Sequence, residues 1–388
     1  MLALKIIFWI LAGIIFYTFF GYGILLWIMV KIKELFCKRK TFPVQEEYPE
    51  VTLLIAAYNE QEYVEEKMRN CRAIDYPKDK LHIVWVTDGS SDATPELLKA
   101  YPENTVYHEA ARKGKTAALN RVMEFIHTPF VVMTDANTNL NAESIYRIIR
   151  KFDNPKVGCV AGEKRVMTDM GSAAGTEGVY WKYESFLKDL DDRLYSEIGA
   201  AGELVAVRRE LWTPIPAGVL GDDMNMALNM FRKGYINGYC KDAFALEKPS
   251  ANIAEERKRK VRLGASGFQV TREFRDLLNP FKYGILAFQF ASHRVIRWVL
   301  TPSCIVLLAP VNIALVCCGA GLLYTIILGA QAAFYLCVLL GKLLDRKGKQ
   351  SVFHIPYYFI FANFSTFAGL KYYLHFDGNA AWERSKRA

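Results

Sequence analysis

Between Ile6 and Val30 the sequence has no charged side chain, a gap of 25 residues. That is long enough to cross a bilayer as a helix, and no small-x-small cleavage site follows it, so a membrane helix is expected rather than a removable leader. None of the eight cysteines forms a Cys-x-x-Cys pair. This argues against a zinc site or a disulfide framework and leaves the cysteines as small apolar residues. No nucleic-acid-reading motif accompanies the net charge of +9. Much of that excess flanks apolar stretches, where basic residues meet lipid headgroups, so no nucleic-acid partner is expected.

What is present divides the 388 residues into apolar ends and a soluble-like middle. Lys31, Lys33, Lys38, Arg39 and Lys40 follow the first apolar run. The positive-inside rule then places the middle on the cytoplasmic side of the membrane. Val299–Val316 and Leu322–Leu340 are further candidate spans, with Lys342, Arg346, Lys347 and Lys349 after them. The stretch 352–374 is interrupted by Pro356, Asn363, Ser365 and Thr366. If it crossed, the tail residues Arg384, Lys386 and Arg387 would lie on the side the rule disfavours, so spanning and re-entrant readings both stay open.

In the middle, strand-like runs alternate with helices. Val51–Ala57, Leu81–Val86, Thr105–Tyr107 and Phe130–Thr134 read as strands, and Glu62–Cys71, Thr94–Ala100, Thr116–Phe125 and Ala142–Phe152 as helices. Such alternation over short connections predicts an α/β fold with a mixed, mostly parallel sheet between helices. Val157–Ala161 and Leu204–Val207 add strands, and Met224–Lys233 a helix. The acids Asp189, Asp191 and Asp192 are expected on the solvated face of a helix. Ligands of such sheets bind beyond the carboxyl ends of the strands. Asn59, Asp88, Lys115 and Asp135 should therefore gather along one edge. Asp135-Ala136-Asn137 puts two oxygen-bearing side chains on the same side of an extended segment, a pattern that can hold a hard divalent cation or simply build a turn. Asp222 and Asp223 open a helix, where acids also serve as caps.

Taken in order, these motifs resemble those of the membrane-bound family 2 glycosyltransferases, the group that includes synthases of cellulose, hyaluronan and poly-N-acetylglucosamine. The likeness covers about residues 50–270. It implies the Rossmann-like GT-A fold, a nucleotide-sugar donor, in particular a UDP-sugar, and Mg2+ or Mn2+ as cofactor. Ala56-x-Tyr58-Asn59-Glu60 resembles the loop that contacts base and ribose. Thr87-Asp88-Gly89-Ser90 resembles the second loop, with Asp88 on the uridine. Arg112-Lys113-Gly114-Lys115 resembles the loop beside the diphosphate. Asp135-Ala136-Asn137 stands where the family has Asp-x-Asp, which implies Asp135 on the nucleotide side and Asp135 with Asn137 at the metal. Asn137 departs from that pattern by removing one charge. Asp222-Asp223 resembles the Glu-Asp pair, with Asp223 as catalytic base. The final Gln-x-x-Arg-Trp motif has its preferred counterpart in Arg259-Lys260-Val261-Arg262-Leu263, with Arg259 and Arg262 toward the diphosphate and acceptor. A competing match is Arg294-Val295-Ile296-Arg297-Trp298.

The resulting layout is a membrane helix over 1–31, a basic linker over 32–50 and a GT-A catalytic domain over 51–253. An amphipathic interfacial segment over 254–298, a membrane region over 299–374 and a basic tail over 375–388 follow. The expected activity is inverting, metal-dependent transfer of a sugar to a hydroxyl of a membrane-associated acceptor, either lipid-linked or saccharide. It would serve exopolysaccharide, capsule or glycolipid synthesis at a bacterial inner membrane. The alternatives are a processive synthase that also exports its chain and, in another class, a membrane-anchored nucleotide-sugar binding protein without catalysis.

Overall fold

The computed structural model describes residues 1–37, 41–44, 46–167, 172–346 and 351–378, apart from the side chains of 172–180 and 346. Lys38, Arg39, Lys40, Lys347, Lys349, Arg384, Lys386 and Arg387 lie outside the described residues.

The middle of the chain forms an eight-stranded sheet: β1 (Val51–Ala57), β2 (Leu81–Asp88), β3 (Asn104–Glu109), β4 (Phe130–Asp135), β5 (Thr138–Leu140), β6 (Val157–Val166), β7 (Leu204–Arg208) and β8 (Ile236–Glu247). Their spatial order is β3-β2-β1-β4-β7-β6-β8-β5. Strands β3, β2, β1 and β4 pair in parallel, as expected where each connection returns through a helix. Beyond β4 the pairing turns antiparallel, through β7 to β6, before β6 meets β8 in parallel.

Both faces of the sheet are buried. Leu53, Ile55, Trp85, Val132 and Ile148 lie in the core on one side, and Leu54, Val86, Val122, Val131 and Val207 in the core on the other. The burial of successive residues such as Leu53, Leu54 and Ile55 follows from the alternation of side chains across a strand covered on both faces.

Among the described residues, three helices are long and apolar enough to cross a membrane: Leu2–Phe36, Ile285–Cys317 and Leu322–Asp345. The second begins well before Val299 and includes a π-helical stretch, Phe290–Leu300. The helix His354–Leu374 is not among these three. It packs instead along the helix Ile253–Glu273. Gly264 and Gly369 meet at their crossing: a Cβ added at Gly369 would lie 2.7 Å from the Ala265 nitrogen and the Val261 oxygen.

The helix Ser172–Leu194 links sheet and membrane helices. Its Leu187, Leu190 and Leu194 pack on Tyr22, Leu26 and Val30. Here the expectation of a solvated acidic face fails, because Asp191 is fully buried. It accepts from Tyr22 Oη at 2.6 Å and Gln289 Nε2 at 2.8 Å, and its Oδ2 lies 2.5 Å from His293 Nδ1. Glu184 on the same helix binds Arg294 at 2.7 Å and Arg297 at 2.8 Å. Partners on the membrane helices satisfy what would otherwise be costly buried charges.

Candidate active site

At the carboxyl edge of the parallel strands, the loop after β1 is laced to the loop after β2. Asn59 adopts φ of 54°, a left-handed conformation that asparagine tolerates better than most side chains. Its Oδ1 accepts from the Ser91 N–H at 2.8 Å, and its own N–H donates to Ser90 Oγ at 3.1 Å. Asp88, at the end of β2, accepts the backbone N–H groups of Lys113 and Gly114 at 2.8 and 2.6 Å. Gly89 then turns with φ of 68°, and an added Cβ there would lie 2.5 Å from the Arg112 Cβ. Only glycine suits both that conformation and that contact. The basic loop is thereby seated against the second strand, and the Arg112 guanidinium stands 3.9 Å from the centre of the Tyr58 ring.

The turn between β4 and β5 carries Asp135 and Asn137. Beneath it lies Lys67, almost fully buried, donating to the Thr138 carbonyl at 2.7 Å and to Thr134 Oγ1 at 3.2 Å. Burial lowers the Lys67 pKa to about 8. Asp135 Oδ1 accepts from Lys115 Nζ at 2.7 Å, and Asp222 Oδ2 is 3.9 Å from the same ammonium. Burial opposes the charge on Lys115, but the carboxylates of Asp135 and Asp222 outweigh it and hold the ammonium above the ordinary lysine value.

Asp222 and Asp223 occupy the first turn of the helix Asp222–Arg232, and Asp223 Oδ1 accepts from the Met224 N–H at 2.8 Å. Burial, followed by the neighbouring charge of Asp222, pushes the Asp223 carboxyl up to about 6. A carboxylate that still holds a proton near pH 6 suits general-base work near neutrality.

The wall opposite comes from the helix Ile253–Glu273. Arg259 is buried and binds Glu256 through Nε at 2.9 Å and Nη2 at 3.0 Å. Ser250 and Tyr358 also donate to Glu256, at 2.8 and 2.9 Å. Arg262, by contrast, is exposed.

A cavity of about 820 Å3 joins these parts. It brings together Ala56, Tyr58, Glu60, Asp88, Lys115, Asp135, Asn137, Asp222, Asp223, Arg259 and Arg262, but not Asn59, whose side chain is spent on joining the two loops. Both candidate counterparts of the last motif reach it, since Arg294, Arg297 and Trp298 also line its wall. Its far end runs between membrane-side residues, Phe19, Ile355, Tyr358 and Phe359 among them. Sequence reasoning missed Lys67, Glu203 and Trp181. A lysine in a charged helix gives no local sign that it will be buried beneath the Asp135 turn, nor do a glutamate before a strand and a tryptophan in an aromatic segment that they will line the cavity.

Residues 49–266 match the model of the glycosyltransferase like family 2. The chain belongs to that family. Relatives of this family 2 member include a poly-beta-1,6-N-acetyl-D-glucosamine synthase of Staphylococcus aureus strain COL, 34% identical over 120 residues. Another is the synthase of that name from Staphylococcus epidermidis, 30% identical over 151 residues. These matches cover 30% and 36% of the chain, and they span only 29% and 36% of the two synthases' own length. The fold is similar to that of a mannosyltransferase from Pyrobaculum calidifontis, solved in complex with GDP-Man and Mn2+. The TM-score is 0.70 at 21% identity, covering 96% of this chain and 99% of that one. The chain is thus a family 2 glycosyltransferase with a GT-A fold and three candidate membrane-spanning helices.

Proposed function

We propose that the chain is an inverting, metal-dependent transferase that moves a sugar from a nucleotide sugar, in particular a UDP-sugar, to a hydroxyl of a membrane-associated acceptor. The reaction would take place on the cytoplasmic face of a bacterial inner membrane. The observation that carries this reading is the single cavity running from the loop edge, past Asp135 and Asp223, to the membrane helices.

The donor's base and ribose are assigned to the Tyr58 and Asp88 end, and its diphosphate to Lys115, Arg259 and Arg262. Asp135 and Asn137 fit a divalent cation. Asp135 already faces a cation, Lys115, and among the described residues the Asn137 side chain has no hydrogen-bond partner. Few protein oxygens are needed, because Mg2+ in nucleotide sites keeps waters and binds substrate phosphates alongside one or two carboxylates. When bound, the ion would offset charge growing on the diphosphate.

The chain's own groups supply the rest. Asp223 takes the proton of the acceptor hydroxyl as that oxygen forms its bond to the anomeric carbon. The bond from that carbon to the diphosphate oxygen breaks on the opposite face, and its electron pair leaves with the nucleoside diphosphate. Lys115 and the arginines stabilise the departing charge. One base and no covalent nucleophile give inversion, so an α-linked donor yields a β-linked product.

The deciding assay measures nucleoside diphosphate release and sugar incorporation by the full chain in membranes, over a panel of nucleotide sugars. Incorporation from at least one donor, abolished by excess chelator and by Asp223→Asn, is expected. Full turnover in chelator sinks the metal assignment, and full turnover in Asp223→Asn removes that residue as the base.

A further inference from the structure

Glu203 lines the cavity, yet it belongs to none of the sequence motifs. It follows Gly202, where an added Cβ would lie 3.6 Å from Asp223 Oδ2 and 3.8 Å from Lys115 Nζ. The backbone here passes directly beside the base and the diphosphate-side cation. Thr134 Oγ1 donates to the Glu203 carbonyl at 2.8 Å, fixing the residue beside the end of β4 that carries Asp135. It therefore lines the part of the cavity next to Asp223, Lys115 and Asp135, where the sugar in transit must lie.

Lys164 holds the side chain. Its ammonium donates to Glu203 Oε1 and also to Glu247 on β8. The side chains of Lys164 and Glu247 are 0% and 1% exposed, whereas that of Glu203 is 17% exposed. Glu247 already neutralises the buried lysine. A second carboxylate is not needed for that purpose, and placing it there carries a desolvation penalty. Among the described residues no hydrogen-bond donor meets the other oxygen, Oε2. Burial opposes ionisation of Glu203, but Lys164 more than offsets it and holds the carboxyl well below its ordinary range. The cavity thus contains an ionised acceptor with one oxygen anchored and one open. Trp181 lines the cavity nearby, its ring centre 5.3 Å from the Lys164 ammonium.

We propose that Glu203 accepts hydrogen bonds from hydroxyl groups of the transferred sugar and so selects a neutral or amino-bearing sugar donor over a uronate. The inference rests on the glycosyl-transfer reading above and narrows its donor class. A sugar lacking the matching hydroxyl leaves the second oxygen of a partly buried carboxylate without a donor, which penalises it strongly. A sugar carrying its own carboxylate meets a like charge.

The test uses the full chain in lipid nanodiscs with donors that share one nucleotide: a hexose, an N-acetylhexosamine, a hexuronate and monodeoxy analogues of the best donor. Binding of each donor and of the free nucleoside diphosphate is measured beside turnover. The wild type is expected to lose about tenfold or more in kcat/KM on the hexuronate and on one deoxy analogue. Glu203→Gln should raise the donor KM about tenfold, shrink the deoxy penalty to about threefold or less, and leave nucleoside diphosphate affinity unchanged. Glu203→Asp, which keeps the charge, should fall between the two.

An unchanged donor KM with an undiminished deoxy penalty in Glu203→Gln overturns the proposal. So does a wild type that prefers the hexuronate, a result that stands even if neither variant folds. If the wild type turns over no donor, the glycosyl-transfer reading falls separately. The binding arm then still decides: Glu203 keeps this role only if Glu203→Gln weakens the nucleotide sugar and not the nucleoside diphosphate.

Discussion

Asp223 and Asn137 make the sharpest demands at the scale of single residues. As the proposed base, Asp223, whose carboxyl is pushed up to about 6, must be deprotonated to act. The rate profile should therefore fall as pH drops through about 6, with kcat/KM losing about tenfold per unit below it. The same shift has a consequence for stability. A carboxyl raised in the folded state is stabilising only as the protonated form, so its charge works against the fold above pH 6, and that penalty fades as pH falls toward the ordinary carboxylate range. Asp223→Asn, inactive as it should be, is accordingly expected to melt no lower than the wild type at pH 8 in a thermal-denaturation series. A lower melting point would mean that the carboxylate holds the fold together. In the proposed metal site, the charge absent at Asn137 weakens the hold on a cation. Asn137→Asp should lower the Mn2+ or Mg2+ concentration for half-maximal activity by about tenfold, read from metal titrations of the chelated enzyme. An unmoved midpoint would put the ion elsewhere.

At the scale of elements, the crossing of the helices Ile253–Glu273 and His354–Leu374 is a tight joint. With 2.7 Å between a hypothetical Gly369 Cβ and facing backbone atoms, neither helix can yield without separating. Gly369→Val is expected to cost about 1–3 kcal/mol by overpacking. It should also loosen Tyr358 from Glu256, and with it the hold on Arg259. Transfer should fall while binding of nucleoside diphosphate at the strand edge persists, a separation that equilibrium binding and turnover can show together. This scale also marks what the sequence made legible. The β1 to β4 alternation was readable because the mostly buried strands β1, β2 and β4 present apolar runs between turn residues, with the short edge strand β3 marked by Val106 and Tyr107. β8 was not: Gly238, Lys241 and Asp242 interrupt its run, and the register slips where Gly162 and Glu163 face Cys240 and Phe244. β5 is three residues long, too short to show a period. Most of the candidate site came from motifs at strand ends. Glu203 and Lys67, and the burial of Asp191, escaped because their partners, Lys164, Thr138 and His293, lie far away in sequence or on another element, and only the fold brings them together.

Across the whole molecule, one cavity touches the carboxyl edge of the parallel strands and the candidate membrane helices alike. An acceptor confined to the bilayer should therefore be glycosylated better than a soluble one of the same chemistry. Incubation with donor and native membranes, followed by size analysis, separates two outcomes. A single shifted lipid product indicates one transfer, and a ladder indicates repeated extension. The Phe19 and Phe359 rings, 4.9 Å apart, close the membrane end between the first helix and the helix His354–Leu374. No boundary drawn along the chain therefore isolates the chemistry. A fragment trimmed to residues 51–253 would keep Asp88, Asp135 and Asp223 but leave behind Arg259, Arg262, Trp298 and Tyr358, and the reaction chamber would stand open along one side. Catalytic part and anchor are not interchangeable modules here. A graft onto a different anchor would need the helix contacts rebuilt before it could turn over, and variation in the membrane segments should alter what the enzyme accepts as readily as variation beside the sheet.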